Sequence, residues 1–275
     1  MTYKTLLVHL NAGQPNTGLL RIAADLTERF GTNIIGIAAS HPTPISYSVD
    51  FANAEYFEMD RKRMENDLEA NENEFRTAFH SSPAMIEWRS SITLDSVSGY
   101  VAAAASSADL VVTYATPQSW LDSGGEANLG DMIMQAGRPV LVVPISAQQL
   151  KFEQVMLAWK DTREARRAAS DALPLMKMAK RVTIVEIAAQ RDHSEATLRL
   201  ADVANWLKQH SIAAASVVLF SEDNDAGQLA AFAYKQKADI LVAGAYGHSR
   251  FREWALGGMT RDLLVKAQCC TLLSH

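Results

Sequence analysis

A doubly wound α/β domain built on a parallel sheet, present twice in tandem, is the fold class that this sequence predicts. Three observations predict it: an internal repeat, strand–helix alternation within each copy, and strand segments that are apolar throughout. Residues 108–115 (ADLVVTYA) match 238–245 (ADILVAGA) at an offset of 130. Residues 3–11 (YKTLLVHLN) follow 153–161 (EQVMLAWKD) in apolar pattern at an offset of 150, and 32–39 (TNIIGIAA) follow 181–188 (RVTIVEIA) at 149. The first copy therefore carries extra residues after its second strand. Their expected place is 41–65, opening with the turn of Pro42 and Pro44.

The second copy shows the element order most clearly. Residues 153–159 are an apolar strand, and 162–179 a helix with Ala165, Ala168, Ala169, Ala172 and Leu173 along one side. A strand at 182–188 and an amphipathic helix at 195–209 follow, then strand 215–220, helix 225–236 and strand 239–243. A helical stretch from Arg261 to Ala267 leads to a last strand at 270–273. In the first copy, 55–79 is rich in Glu, Asp, Arg and Asn and reads as the solvated face of a helix. Residues 145–152 (ISAQQLKF) make a short linker, so the expected domains are 1–147 and 148–275, packed together. The final strands, 139–143 and 270–273, are apolar and would lie at a sheet edge, which native proteins cover or pair.

Composition narrows the function. The net charge of −5, with no dense Lys/Arg stripe, argues against nucleic acid, whose affinity rests on neutralising phosphates. Apolar runs such as 109–112 and 139–145 are far too short to span a membrane, and the N-terminal residues lack the pattern of a signal peptide. Cys269 and Cys270 are adjacent, so they provide no disulfide framework. The expected compartment is the cytoplasm.

Ligands of an open parallel sheet bind beyond the carboxyl ends of its strands. After the fourth strand of the second copy stand Gly244-Ala245-Tyr246-Gly247-His248-Ser249-Arg250, and further on Gly257-Gly258-Met259-Thr260. Gly244 and Gly247 let the backbone turn and approach a ligand. Gly257 and Gly258 open a helix whose free N–H groups suit an anion, and Thr260 can add a hydroxyl or a cap. Any one of these glycines could simply form a turn; the four together point to phosphate binding. The spacing of glycine, two residues, glycine, nine residues, glycine resembles that of the universal stress proteins in their tandem, two-domain form.

That resemblance covers both halves and implies a Rossmann-like fold of the adenine nucleotide alpha hydrolase type, its two copies forming a pseudo-twofold pair. It implies ATP or another adenine nucleotide, with Mg as a possible companion, bound in the second domain. Carried over residue by residue, the site is Asp161 after the first strand, Ile187 contacting adenine through its backbone, and Ala243, Gly244 and Gly247. Gly257, Gly258, Met259 and Thr260 complete it around the phosphates. Gly258 departs from the family pattern, where Ser or Thr is usual, so one hydroxyl contact is missing. The first copy departs throughout: Asn11 replaces the acid, and Tyr114 and Pro117 replace the loop glycines, while Gly124 and Gly125 read as a turn. It reads as structural.

No Walker loop, no SGGxDS-like loop and no Gly-x-Ser-x-Gly elbow is present. His248 reads as loop polarity, Arg250 and Arg252 as solvated charges, and no histidine or cysteine spacing suggests a metal. The expected protein is a stress-response binding protein with at most slow ATP hydrolysis. A surface-acting interaction protein without nucleotide is the alternative. Internal pairing of the two domains is expected, with a further homodimer through another face.

Overall fold

The computed structural model describes residues 2–42, 54–115, 127–222, 224–245 and 269–275. These form two compact units, Tyr3–Arg138 and Pro139–His275. The first contains β1 (Thr5–His9), α1 (Thr17–Phe30), β2 (Asn33–Ser40), α2 (Ala54–Phe79), β3 (Ile86–Ile92), α3 (Val97–Ala104), β4 (Leu110–Ala115) and α4 (Leu129–Gln135). Its strands run parallel in the order β3-β2-β1-β4. The chain moves one way along the sheet from β1 to β3 and returns to β4. Right-handed crossovers then place α1 and α2 on one face and α3 and α4 on the other, and each pair is in contact.

The second unit begins with β5 (Val140–Pro144), the last strand of the first repeat in sequence. It continues through β6 (Gln154–Trp159), α5 (Arg163–Asp171), α6 (Leu173–Met178), β7 (Arg181–Ala188), α7 (His193–Gln209), β8 (Ala214–Phe220), α8 (Asp225–Lys235), β9 (Ile240–Gly244) and β10 (Cys270–Ser274). The order is β5-β10-β9-β6-β7-β8. Every pairing is parallel except β5 with β10, which is antiparallel and sets Val142 opposite Thr271, Leu141 opposite Leu272 and Val140 opposite Leu273. The two last strands thus cover one another. The linker is anchored in this unit, with Leu150 and Phe152 buried and the Phe152 carbonyl accepting from Lys180 N at 2.9 Å.

The repeated Ala-Asp pair has a structural role that sequence reading missed. Asp109 Oδ2 accepts from the amides of Lys4 (2.7 Å) and Thr5 (3.0 Å), at the start of β1. Asp239 Oδ2 accepts from Glu153 (2.7 Å) and Gln154 (2.9 Å), at the start of β6. In each unit the carboxylate clamps the entry of the neighbouring strand. That is why the same aspartate recurs before both fourth strands.

One expected element is corrected. The helix predicted across 162–179 is two helices, α5 and α6, meeting at Ala172 (φ −85°, ψ −3°). Pro174 lacks an N–H and clashes with the preceding turn, so it opens a new helix instead of continuing the old one.

Candidate functional site

Register fixes which strand ends meet. Ala158 lies beside Ala243, and Trp159 beside Glu186, so the carboxyl ends of β9, β6 and β7 form one continuous edge. Four of the predicted site residues gather there. Ala243 and Gly244 end β9, Ile187 is the penultimate residue of β7, and Asp161 stands two residues beyond β6. Gly247, Gly257, Gly258, Met259 and Thr260 lie outside the described residues, as do His248, Arg250, Arg252 and the helix expected at 261–267.

The half-exposed Asp161 carboxylate is ion-paired with Arg166 from the first turns of α5. Beside it sits a group that sequence reading did not select. Glu186, buried in β7, is held by Arg199 of α7, with Nε to Oε1 at 3.1 Å. This hydrogen bond raises the guanidinium pKa, and the nearby Asp161 charge adds to it. Trp159, in register with Glu186, keeps its indole Nε1 buried with no hydrogen-bond partner among the described residues. The signal for the pair was present in RVTIVEIA, because a carboxylate inside an apolar strand needs a cation or a proton.

Gly244, at the expected edge, also has a packing role that its motif does not suggest. A Cβ on Gly244 would stand 2.5 Å from Ala165 N and 2.6 Å from the Glu164 carbonyl carbon, both backbone atoms of α5. The missing side chain is therefore required by a helix lying directly on the strand end. That helix is capped by Thr162, whose Oγ1 accepts from Ala165 N at 3.3 Å. Glu164, in its first turn, is buried and paired with Arg163. Burial pushes the Glu164 pKa up, but the Arg163 and local backbone hydrogen bonds outweigh it and hold the carboxyl below its ordinary value. Arg163, Glu164, Arg167 and His275 line a cavity of about 310 Å³ at this helix start. The His275 ring contacts the Ala245 carbonyl through Nδ1 at 3.1 Å.

The first unit shows the same junction filled by its own side chains. With the caps Asn16 and Thr162 aligned, Leu19 corresponds to Ala165. Leu19 N donates to the Tyr114 hydroxyl at 2.7 Å, so tyrosine supplies an acceptor where the second unit brings helix against glycine. The Glu74 carboxylate of α2 accepts from Asn16 N at 3.2 Å and from Thr17 Oγ1 at 2.9 Å. Asn16 Oδ1 accepts from Asn11 N at 3.0 Å, and its Nδ2 donates to Gln14 O at 2.7 Å. Two donors at the start of α1, Asn16 N and Leu19 N, are thus met by protein oxygens. Pro117, Gly124 and Gly125 lie outside the described residues.

Burial pushes the Cys269 thiol up to about 11 and Cys270 to about 12, so neither supplies a thiolate near neutral pH. Among the described residues, no group of three or more His, Cys, Asp or Glu is placed to hold a metal, and no helix is long and apolar enough to cross a membrane.

No family model and no curated protein sequence matches the chain. Solved structures do. A universal stress protein from Archaeoglobus fulgidus DSM 4304 superposes with a TM-score of 0.72 at 12% identity, covering 98% of this chain and 95% of its own. A functionally unknown protein from Pseudomonas aeruginosa PAO1 gives 0.67 at 12% identity, covering 99% and 92%. A protein from Pseudomonas aeruginosa UCBPP-PA14, named for the universal stress proteins, gives 0.66 at 14%, covering 99% and 93%. Matches of this extent at such low identity are matches of backbone architecture. Over nearly its whole length, the chain has the fold of the universal stress proteins in their tandem form.

Proposed function

We propose that this chain is a tandem universal stress protein that binds ATP or a related adenine nucleotide in its second unit and acts in stress response as a regulatory binding protein. The observation that carries the reading is the convergence of Asp161, Ile187, Ala243 and Gly244 on one carboxyl edge, the ligand edge of a doubly wound sheet. The glycine spacing that follows Gly244 supports a phosphate at the same edge. In this reading Asp161 holds ribose or adenine polar groups, and the loop amides with Thr260 hold the phosphates, with Mg where the ligand brings it. Arg166, now paired with Asp161, would have to yield that carboxylate to the ligand. In this reading the role is binding rather than turnover.

The test is calorimetry with ATP and AMP, together with mass spectrometry of small molecules released from the purified protein. Adenine nucleotide should co-purify or bind, and Gly247→Val or Asp161→Ala should weaken it at least tenfold. Gly258→Ser should tighten it by up to about tenfold, the yield of one good hydrogen bond. A nucleotide-free protein acting through its surface is the second reading. It is favoured by Gly244, whose missing side chain is already required by α5. Absence of nucleotide from the purified protein, with no heat of binding, would decide for it.

A further inference from the structure

The exposed edge of the second unit is built differently from the edge of the first. β3 ends the sheet of the first unit and carries Glu87 and Arg89, paired at 2.7 Å along the strand. Charges of this kind discourage another strand from adding to the edge. β8 ends the sheet of the second unit with the sequence AASVVLF, which has no charge and no proline. Ala215, Ser216 and Phe220 are exposed, and Val217, Val218 and Leu219 are half-buried.

The hydrogen-bonding phase of this edge can be read directly. Ser221 N donates inward to Ala188 O at 2.9 Å, so by the two-residue period the odd positions of β8 bond to β7. The even positions point their N–H and C=O groups outward. The Phe220 carbonyl confirms the phase, because it accepts from Gln228 Nε2 at 2.7 Å on that side. Among the described residues nothing pairs Ser216 or Val218 outward. Two outward residues flanking one inward residue form a self-complementary unit: laid antiparallel on its own copy, Ser216 meets Val218 and Val218 meets Ser216. Each such pair exchanges two hydrogen bonds, and Val217 faces its own copy across the twofold axis.

We infer that β8 is a homodimerisation edge, on which the β8 strand of a second copy of this chain adds antiparallel, centred on Val217. The arrangement is closed, because the twofold uses the edge of both copies and leaves no growing end on this strand. It joins two sheets without occupying the carboxyl edge where ligand is proposed, so it stands whether or not nucleotide binds. The contact is small, which makes the dimer a weak and reversible one.

The test uses the full chain in sedimentation velocity over a micromolar concentration series. Wild type should show a concentration-dependent dimer, and Val217→Lys, which brings like charges together on the axis, should weaken association at least tenfold. Circular dichroism and thermal melting check that this variant keeps the wild-type fold. Val217→Cys gives an independent reading, since residues facing each other in a non-bonded antiparallel pair are close enough for a disulfide. Under mild oxidation it should run as a covalent dimer while wild type, with Cys269 and Cys270, does not. A wild type that stays monomeric through the series would overturn the inference. So would a dimer unaffected by Val217→Lys, or a Val217→Cys variant that fails to cross-link.

Discussion

His9 is a titratable group whose behaviour is set by burial. It lies fully inside the first unit at the end of β1, with Nδ1 2.9 Å from Thr113 Oγ1, and burial lowers its pKa from 6.5 to about 4. The unfolded chain therefore takes up this proton first as pH falls. The stability that neutral His9 contributes is fully present above pH 6.5 and is lost progressively until pH reaches about 4. Between pH 6.5 and 5 the loss should be about 2 kcal/mol. Urea melts of wild type and His9→Gln across this range should converge as pH drops, because the variant lacks the titration. Tyr114 offers a second residue-scale test. Tyr114→Phe leaves Leu19 N without its acceptor in a buried setting and should cost about 1–3 kcal/mol of unfolding free energy. Of these two residues, the sequence exposed Tyr114 as a departure from glycine, but not as a cap. The acceptor role depends on a helix start 95 positions away in sequence.

At the scale of elements, the strands were the most legible part of the chain, since a strand buried on both faces must be apolar throughout, as in LVV and ILVAG. Helix continuity was less legible. The alanine-rich side of 162–179 reads across Ala172 without a break, and only the weight given to Pro174 separates α5 from α6. Gly244 shows that a glycine at a motif position can also be required by an element contact. Its motif position suggests room for phosphate, and the collision of an added Cβ with Ala165 N, at 2.5 Å, shows in addition a helix pressed onto the strand end. Gly244→Ala should therefore destabilise the protein by about 1–3 kcal/mol with no nucleotide present. Asp161→Ala, which removes only an exposed ion pair, should change stability by less than about 1 kcal/mol. Equal melting temperatures for the two variants would mean that α5 can shift away at little cost.

For the molecule as a whole, the informative feature is where β5 belongs. In sequence it closes the first repeat, but in space it pairs with β10 and belongs to the unit of Pro139–His275. A fragment of 148–275 would lose this partner and expose the β10 edge, where Cys270 and Leu272 are buried in the full chain. A fragment of 139–275 would keep it. The longer fragment should be the more soluble and should unfold at higher denaturant, as measured by light scattering and urea titration. A 148–275 fragment that behaves as well as 139–275 would mean that β5 contributes little to the unit.

The sequence by itself determined the duplication, the strand–helix order and the parallel sheet, because these follow from periodicity and burial, which are local properties of the chain. It also marked Asp161 and the glycine run as the place to look for a ligand. Tertiary structure alone decided what several other residues do, and gave Gly244 a second role. The repeated aspartates clamp neighbouring strands, Gly244 admits a helix, Glu74 and Tyr114 cap the start of α1, and Arg199 neutralises Glu186. Each of these roles needs a partner far away in sequence. A hydrogen bond or a steric contact is a statement about two atoms in space, and residue pattern fixes only one of them.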